Sequence, residues 1–236
     1  MQTIKAHYMV QSKLHIAHIC RATSGENKVP TIIMFPDFAG ITERAITFAN
    51  KWCLFLGANI IIADMYGNGL ATSTPEESGE CMNKVLDNPS YYRELCLAPL
   101  ELIQQLDNAD LTQIYTLGYC FGGQSSLNLG KYSDKIKGII SVHGLLKSNV
   151  KFEHQNNPKI LVLHGAKDPL VSAEDLNIFE KEMLERNTDV MFVSFYTSTH
   201  AFTNYNAIGD KSNQVVSYDF LSDQRSNKLI QNFITE

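Results

Sequence analysis

The chain has 236 residues, 44% of them hydrophobic and 19% charged, with a formal net charge of -5 and an isoelectric point near 5.8, a composition that excludes a disordered or fibrous chain. An acidic balance with no run of five basic residues leaves nothing to neutralise phosphates or anionic lipid, so neither nucleic acid nor a membrane is expected as a partner. No apolar stretch approaches the roughly 20 residues of a membrane span, and the opening MQTIKAHYMV has a His and a Lys where a signal peptide needs an apolar core. Five cysteines, Cys20, Cys53, Cys81, Cys96 and Cys120, are scattered without a CxxC, which points to free thiols in a reducing, cytoplasmic setting.

Short β-branched runs alternate with helical periods, the pattern of a mostly parallel sheet covered by helices on both faces. Residues 4–10 and 15–22 read as a hairpin. VPTIIMF at 29–35 is apolar throughout, as in a strand buried on both faces, and ends in the loop Pro36-Asp37-Phe38-Ala39-Gly40. Thr42 is placed to cap a helix with Ile46, Ala49, Trp52, Cys53 and Leu56 on one face, and Gly57 to end it. A strand at 58–64 is followed by a turn-rich segment from 66 to 79. Asn88-Pro89 opens a helix through 106 that Pro99 should kink or split.

Strands are then expected at 113–117, 136–143, 159–164 and 190–196, with helices at 121–131, after Ser172, and from about 215 to 234, and a polar loop at 147–158. Ser172 with Asp175 three residues on has the form of a capping box. No repeat or composition break marks a linker. The expectation is one α/β domain spanning 1–236, doubly wound, with about six central strands. Such sheets collect their chemistry beyond the carboxyl ends of the strands.

Gly118-Tyr119-Cys120-Phe121-Gly122-Gly123 lies between a strand and a helix, the setting of a nucleophile elbow with Cys in place of Ser. Glycines two residues before and two after the central position relieve side-chain clashes in the sharp turn. The thiol would stand at a helix N-terminus, where the dipole favours thiolate. Asp168, in Gly165-Ala166-Lys167-Asp168-Pro169, follows one strand, and His200, in Ser198-Thr199-His200-Ala201-Phe202, follows another. Nucleophile, acid and His thus occur in the chain order of α/β hydrolases. In that arrangement His200 takes the proton of Cys120 and delivers it to the leaving group, while Asp168 orients the imidazole. Taken singly, Cys120 reads equally as a buried structural Cys, Asp168 as a turn residue and His200 as a loop His; their coincidence is the signal.

These three segments, with Leu163-His164-Gly165-Ala166-Lys167-Asp168 and His200-Ala201-Phe202 in full, make the chain resemble the dienelactone hydrolase family, small α/β hydrolases with a Cys-His-Asp triad. The resemblance extends to Ala63-Asp64-Met65-Tyr66-Gly67 and Ser141-Val142-His143-Gly144. It implies an α/β-hydrolase fold and hydrolysis of a small ester or lactone through an acyl-thiol at Cys120, without a cofactor. It also implies an oxyanion hole from the backbone N–H groups of Phe38 and Phe121, each donor contributing about 3 kcal/mol to lowering the barrier. The family places a carboxylate near the resting thiol, where this chain has Asp37 instead of the commoner Glu; Asp37 is either a thiol-modulating group or a turn residue.

Where dienelactone-degrading members carry an Arg four residues after the catalytic His, this chain has Asn204, so the carboxylate-bearing substrate does not follow from the resemblance. Arg93 is either a replacement cation or a solvated helix residue. Tyr66, His143 and Phe202 are candidate pocket walls, or packing. No metal site is expected: His15 and His18 fall on opposite faces of a strand, and no zinc-spaced cluster exists. No GxGxxG or P-loop supports a nucleotide. The alternatives are a broad carboxylesterase or thioesterase, and a non-catalytic small-molecule-binding relative; the chain says nothing of oligomeric state.

Overall fold

In a computed structural model the described residues are 3–23, 27–148, 150–207 and 215–236. An antiparallel hairpin, β1 (Ile4–Val10) and β2 (Lys13–Cys20), opens the fold. The remaining strands are β3 (Val29–Phe35), β4 (Asn59–Ile62), β5 (Ala109–Tyr119), β6 (Gly138–Val142), β7 (Lys159–Gly165) and β8 (Val190–Phe195). They form one eight-stranded sheet in the order β1-β2-β4-β3-β5-β6-β7-β8, parallel from β4 to β8.

Burial on both faces explains the continuous apolar strands. Ile32 and Met34 of β3 pack with Ile60 and Ile62 of β4 on one face, while Ile33, Phe35 and Ile61 point to the other. Helices α1 (Glu43–Leu56) and α7 (Phe220–Thr235) cover the first face through Trp52, Cys53, Ile230 and Phe233. The second face is covered by α2 (Pro75–Leu86), α3 (Pro89–Leu97), α4 (Leu100–Ile103), α5 (Phe121–Tyr132) and α6 (Ala173–Glu185). Each such aliphatic side chain contributes on the order of 1.5–3 kcal/mol when fully buried. No helix among the described residues is long and apolar enough to cross a membrane.

The capping signals act where the sequence places them. Thr42 accepts from Ala45 N–H, Gly57 closes α1 in a left-handed conformation, and Ser172 and Asp175 form a full capping box. Pro99 splits the expected 88–106 helix into α3 and α4. Two expectations are corrected. The turn-rich segment ends earlier, because Thr74 and Pro75 start α2, whose mixed polarity hid its period. The last helix begins at Phe220, where the Asp219 carboxylate caps it by accepting from Ser222 N–H, not near 215. The sheet also gains its edge hairpin beyond the six parallel strands.

The chain leaves β3 toward β4 on one side and returns to β5 on the other, so the strand order reverses between β3 and β5. A ligand crevice belongs at such a switch point, outside the carboxyl ends of the strands. Two loops meet there: 36–40 after β3, and Cys120 after β5. The turn at Cys120 is tight enough that a Cβ on Gly118 would lie 1.8 Å from the Gly122 carbonyl oxygen, and one on Gly122 would lie 2.1 Å from that of Phe35. The Gly118→Ala variant is therefore expected to lose about 3 kcal/mol of unfolding free energy or more, measured by urea denaturation; a loss under about 1 kcal/mol would mean that the turn can open.

Candidate active site

Cys120 links β5 to α5 with φ 55° and ψ -119°, a conformation that side-chain-bearing residues adopt only under constraint. The constraint lifts the side chain clear of the sheet, and Sγ is half-buried. His200 and Asp168 come to it from the loops after β8 and β7. His200 Nε2 lies 3.1 Å from Cys120 Sγ, and its Nδ1 lies 2.7 Å from Asp168 Oδ2. Asp168 is further fixed by Leu170 N–H, which donates to its Oδ1 at 2.9 Å. Both His200 and Asp168 are buried.

Burial opposes a charge on His200, but the hydrogen bonds to Asp168 and Cys120 outweigh it and raise the imidazole pKa to about 10. His200 is thus held protonated at neutral pH. His143, in contrast, is pushed well below the ordinary histidine value, by burial and then by the neighbouring His200 charge. Its ring meets that of His200 edge-on, with centroids 5.4 Å apart. One histidine is charged and the next neutral because only the first faces a carboxylate.

The 36–40 loop is shaped by its own residues and by its neighbours. The Asp37 carboxylate accepts from Ala39 N–H at 3.0 Å, Tyr66 Oη donates to the Phe38 carbonyl at 2.8 Å, and Thr72 N–H bonds the Ala39 carbonyl at 2.9 Å. Among the described residues, the N–H groups of Phe38 and Phe121 make no hydrogen bond within the protein. They are left as unpaired donors at the end of the strands, and Phe121 N–H begins α5, where the helix dipole adds positive potential.

A cavity of about 610 Å³ opens over Cys120, His143 and His200. Phe38, Phe48, Met82, Leu145 and Leu170 give it apolar walls, with Asp37, Arg44 and Asn204 at a polar edge. Arg44, in the first turn of α1, pairs with Asp37, and its Nη1 donates to Asn204 Oδ1 at 2.7 Å. Arg44 lies in no sequence motif. Its signal was position: a cation in the first turn of the helix that follows a central parallel strand lies at the strands' carboxyl end.

The structure brings Cys120, His200, Asp37, Phe38, His143 and Asn204 to the cavity, keeps Asp168 buried behind His200, and separates others. Arg93 is not a replacement cation: it stacks on Tyr132 and makes a two-pronged pair with exposed Glu153, 2.6 Å at the shorter contact. Phe202 is not a wall but is fully buried, packed edge-on to His143 and Phe195. Tyr66 stacks on Phe121 and reaches the site only through the Phe38 carbonyl. Asp37 faces Arg44 and Ala39 N–H, so its side chain serves the loop. Among the described residues no group of three or more His, Cys, Asp or Glu side chains is arranged to hold a metal ion.

Fold and site together define an α/β hydrolase. The sequence model of the dienelactone hydrolase family matches residues 18–236, and the chain belongs to that family. An uncharacterized protein of Caenorhabditis elegans is 32% identical over 142 residues, which cover 59% of this chain and 89% of that one. Among solved structures, the protein described as m3DLH superposes with a TM-score of 0.91 at 22% identity, covering 99% of this chain and 97% of its own. A dienelactone hydrolase-like promiscuous phosphotriesterase from metagenomic libraries gives a TM-score of 0.89, also at 22% identity, with coverage of 99% and 97%. At such identity these structures share the fold.

Two expectations follow from the electrostatics. The folded-state pKa of His200 lies above its ordinary value of 6.5, so the folded chain binds the extra proton between the two values. The associated stability is complete below about pH 6.5 and is lost as the pH rises through about 10. Urea midpoints measured from pH 6 to 10.5 should therefore fall, and should fall less steeply in His200→Gln. Second, because Asp37 and Arg44 are both mostly shielded from solvent, a double-mutant cycle with Asp37→Ala and Arg44→Ala should give a coupling of about 1–2 kcal/mol in unfolding free energy. A value near zero would mean that the pair carries no stability.

Proposed function

We propose that the chain hydrolyses a small ester or lactone through an acyl-thiol on Cys120. The observation that carries this reading is the hydrogen-bonded series Cys120 Sγ, His200, Asp168, with contacts of 3.1 and 2.7 Å, at the floor of the cavity. With its proton held on His200, Sγ attacks the substrate carbonyl carbon, a C–S bond forms, and the carbonyl electron pair moves onto oxygen. The N–H groups of Phe38 and Phe121 receive that oxyanion, each contributing about 3 kcal/mol. The oxyanion then collapses, the C–O bond to the leaving group breaks, and His200 Nε2 gives its proton to the departing alkoxide.

In the second half a water loses its proton to His200 and adds to the acyl carbon, and the thiolate leaves with the C–S electron pair. Asp168 keeps Nδ1–H pointed at itself throughout, so Nε2 is the nitrogen that exchanges protons with sulfur, leaving group and water. The reaction needs no cofactor. The setting we infer is cytoplasmic, in keeping with free thiols.

A specific observation favours uncharged acyl groups over carboxylate-bearing lactones. Asn204 stands where dienelactone-degrading relatives carry an Arg, and the nearby Arg44 is already engaged by Asp37 and by Asn204 itself. The apolar walls suit an aliphatic or aromatic acyl arm. This second reading, a broad carboxylesterase or thioesterase, shares every step of the mechanism.

Turnover of activated acetyl to hexanoyl esters, aliphatic lactones and an enol-lactone acid is the test, with wild type and Cys120→Ala side by side. Cys120→Ala should lose at least about 10³-fold in kcat, and Asp168→Asn about 10²–10⁴-fold with the fold intact. Neutral esters should outrank the enol-lactone acid in kcat/KM. Undiminished turnover by Cys120→Ala would end the acyl-thiol reading, and a folded but inert wild type would favour a binding role.

A further inference from the structure

His143 occupies an unusual place for a residue outside the reacting series. It follows β6 with φ 39°, a left-handed backbone that non-glycine residues take rarely, and it is 3% exposed. Its Nδ1 lies 3.1 Å from the backbone nitrogen of Cys120, which also lies 3.1 Å from the Val142 carbonyl oxygen. A backbone N–H can only donate, so Nδ1 is an acceptor and carries no proton. The hydrogen of a neutral ring is then on Nε2, which lies 2.9 Å from Thr203 Oγ1 and donates to it. The ring also meets His200 and Phe202 edge-on and Tyr119 at a tilt.

One imidazole therefore joins the strained nucleophile turn to the loop that carries the catalytic histidine. We propose that His143 is a positioning residue that fixes the Cys120 backbone through Nδ1 and the 200–203 loop through Nε2–H, and so sets the distance between Cys120 Sγ and His200 Nε2. The inference rests on Cys120 and His200 acting as proposed above. The role requires a single tautomer. A proton on Nδ1 would oppose the Cys120 N–H, donor against donor, and release the turn. Burial, and after it the charges of His200 and Arg44 that face the ring, oppose a second ring proton and outweigh the contact with its own backbone that favours one, so the ring keeps a single proton.

Variants separate the two ends of the link. Thr203→Val removes the acceptor for Nε2–H and little else. His143→Asn keeps an acceptor near the Nδ1 position and tolerates the positive φ, but cannot reach Thr203. His143→Phe keeps the ring and loses both bonds. With p-nitrophenyl acetate, His143→Phe should lose about 100-fold in kcat with KM within about threefold, and the other two variants about 5–10-fold. Iodoacetamide labelling at pH 7, followed on the Cys120 peptide by mass spectrometry, should slow in the same order. Nitrogen-15 spectra of the wild-type protein should show His143 as the Nε2–H tautomer.

An Nδ1–H tautomer in the folded protein overturns the proposal, as does a folded His143→Phe whose turnover and Cys120 labelling stay within about twofold of wild type. Should His143→Phe fail to fold, Thr203→Val decides by the same criterion. Retained turnover in Cys120→Ala would instead remove the catalytic reading, while leaving the tautomer and the labelling rates as independent readings of the link.

Discussion

The backbone of Cys120 is the constraint on which the rest of the site depends. A residue at φ 55° and ψ -119° holds its place only because the surroundings leave no other path. Phe35 and Pro36 carbonyls crowd Gly122 from one side, while Gly144 and Ser141 crowd Gly123 from the other. The elbow is thus wedged between the ends of β3 and β6, the two strands that flank β5. Once it is wedged, the thiol stands at the start of α5, against His200.

Electrostatics complete what the backbone begins. A buried imidazole prefers to be neutral, and His143 is; His200 is charged because a buried carboxylate and a thiol contact its two nitrogens. The polar edge of the cavity is likewise settled internally, with Arg44 shared between the β3 loop through Asp37 and the His200 loop through Asn204. Two cross-links, His143 to Thr203 and Arg44 to Asn204, end on adjacent residues of one turn. The loop bearing His200 is therefore held from two directions, although it belongs to no strand or helix.

Much of this was legible in the sequence, and the remainder was hidden for identifiable reasons. The elbow glycines, the acid and the histidine are short-range patterns whose local setting, a strand ending in a loop, can be read from apolar runs. Val29–Phe35 and Ile4–Val10 match their expected bounds because burial on both faces, or a tight hairpin, leaves no ambiguity. Helix α2 was not legible: PEESGECMNKVL buries only Ser78 and Val85, too few positions to show a period. Pairings across the chain were harder still. Arg44 and Asn204 are 160 residues apart, and nothing local to either tells that they meet. Phe202 shows the converse, a residue two positions from His200 whose side chain the fold turns into the core.

The parallel sheet has a consequence for how the site is assembled. Each member of the Cys120, Asp168 and His200 series follows a different strand, and every parallel pairing closes a long loop before it yields contacts, which makes such topologies slow to form. The hairpin of β1 and β2 can assemble early from neighbours alone. The imidazole that contacts Cys120, by contrast, comes after β8, the outermost strand at the far edge. The contacts among Cys120, His200 and Asp168 therefore form only when the sheet is complete.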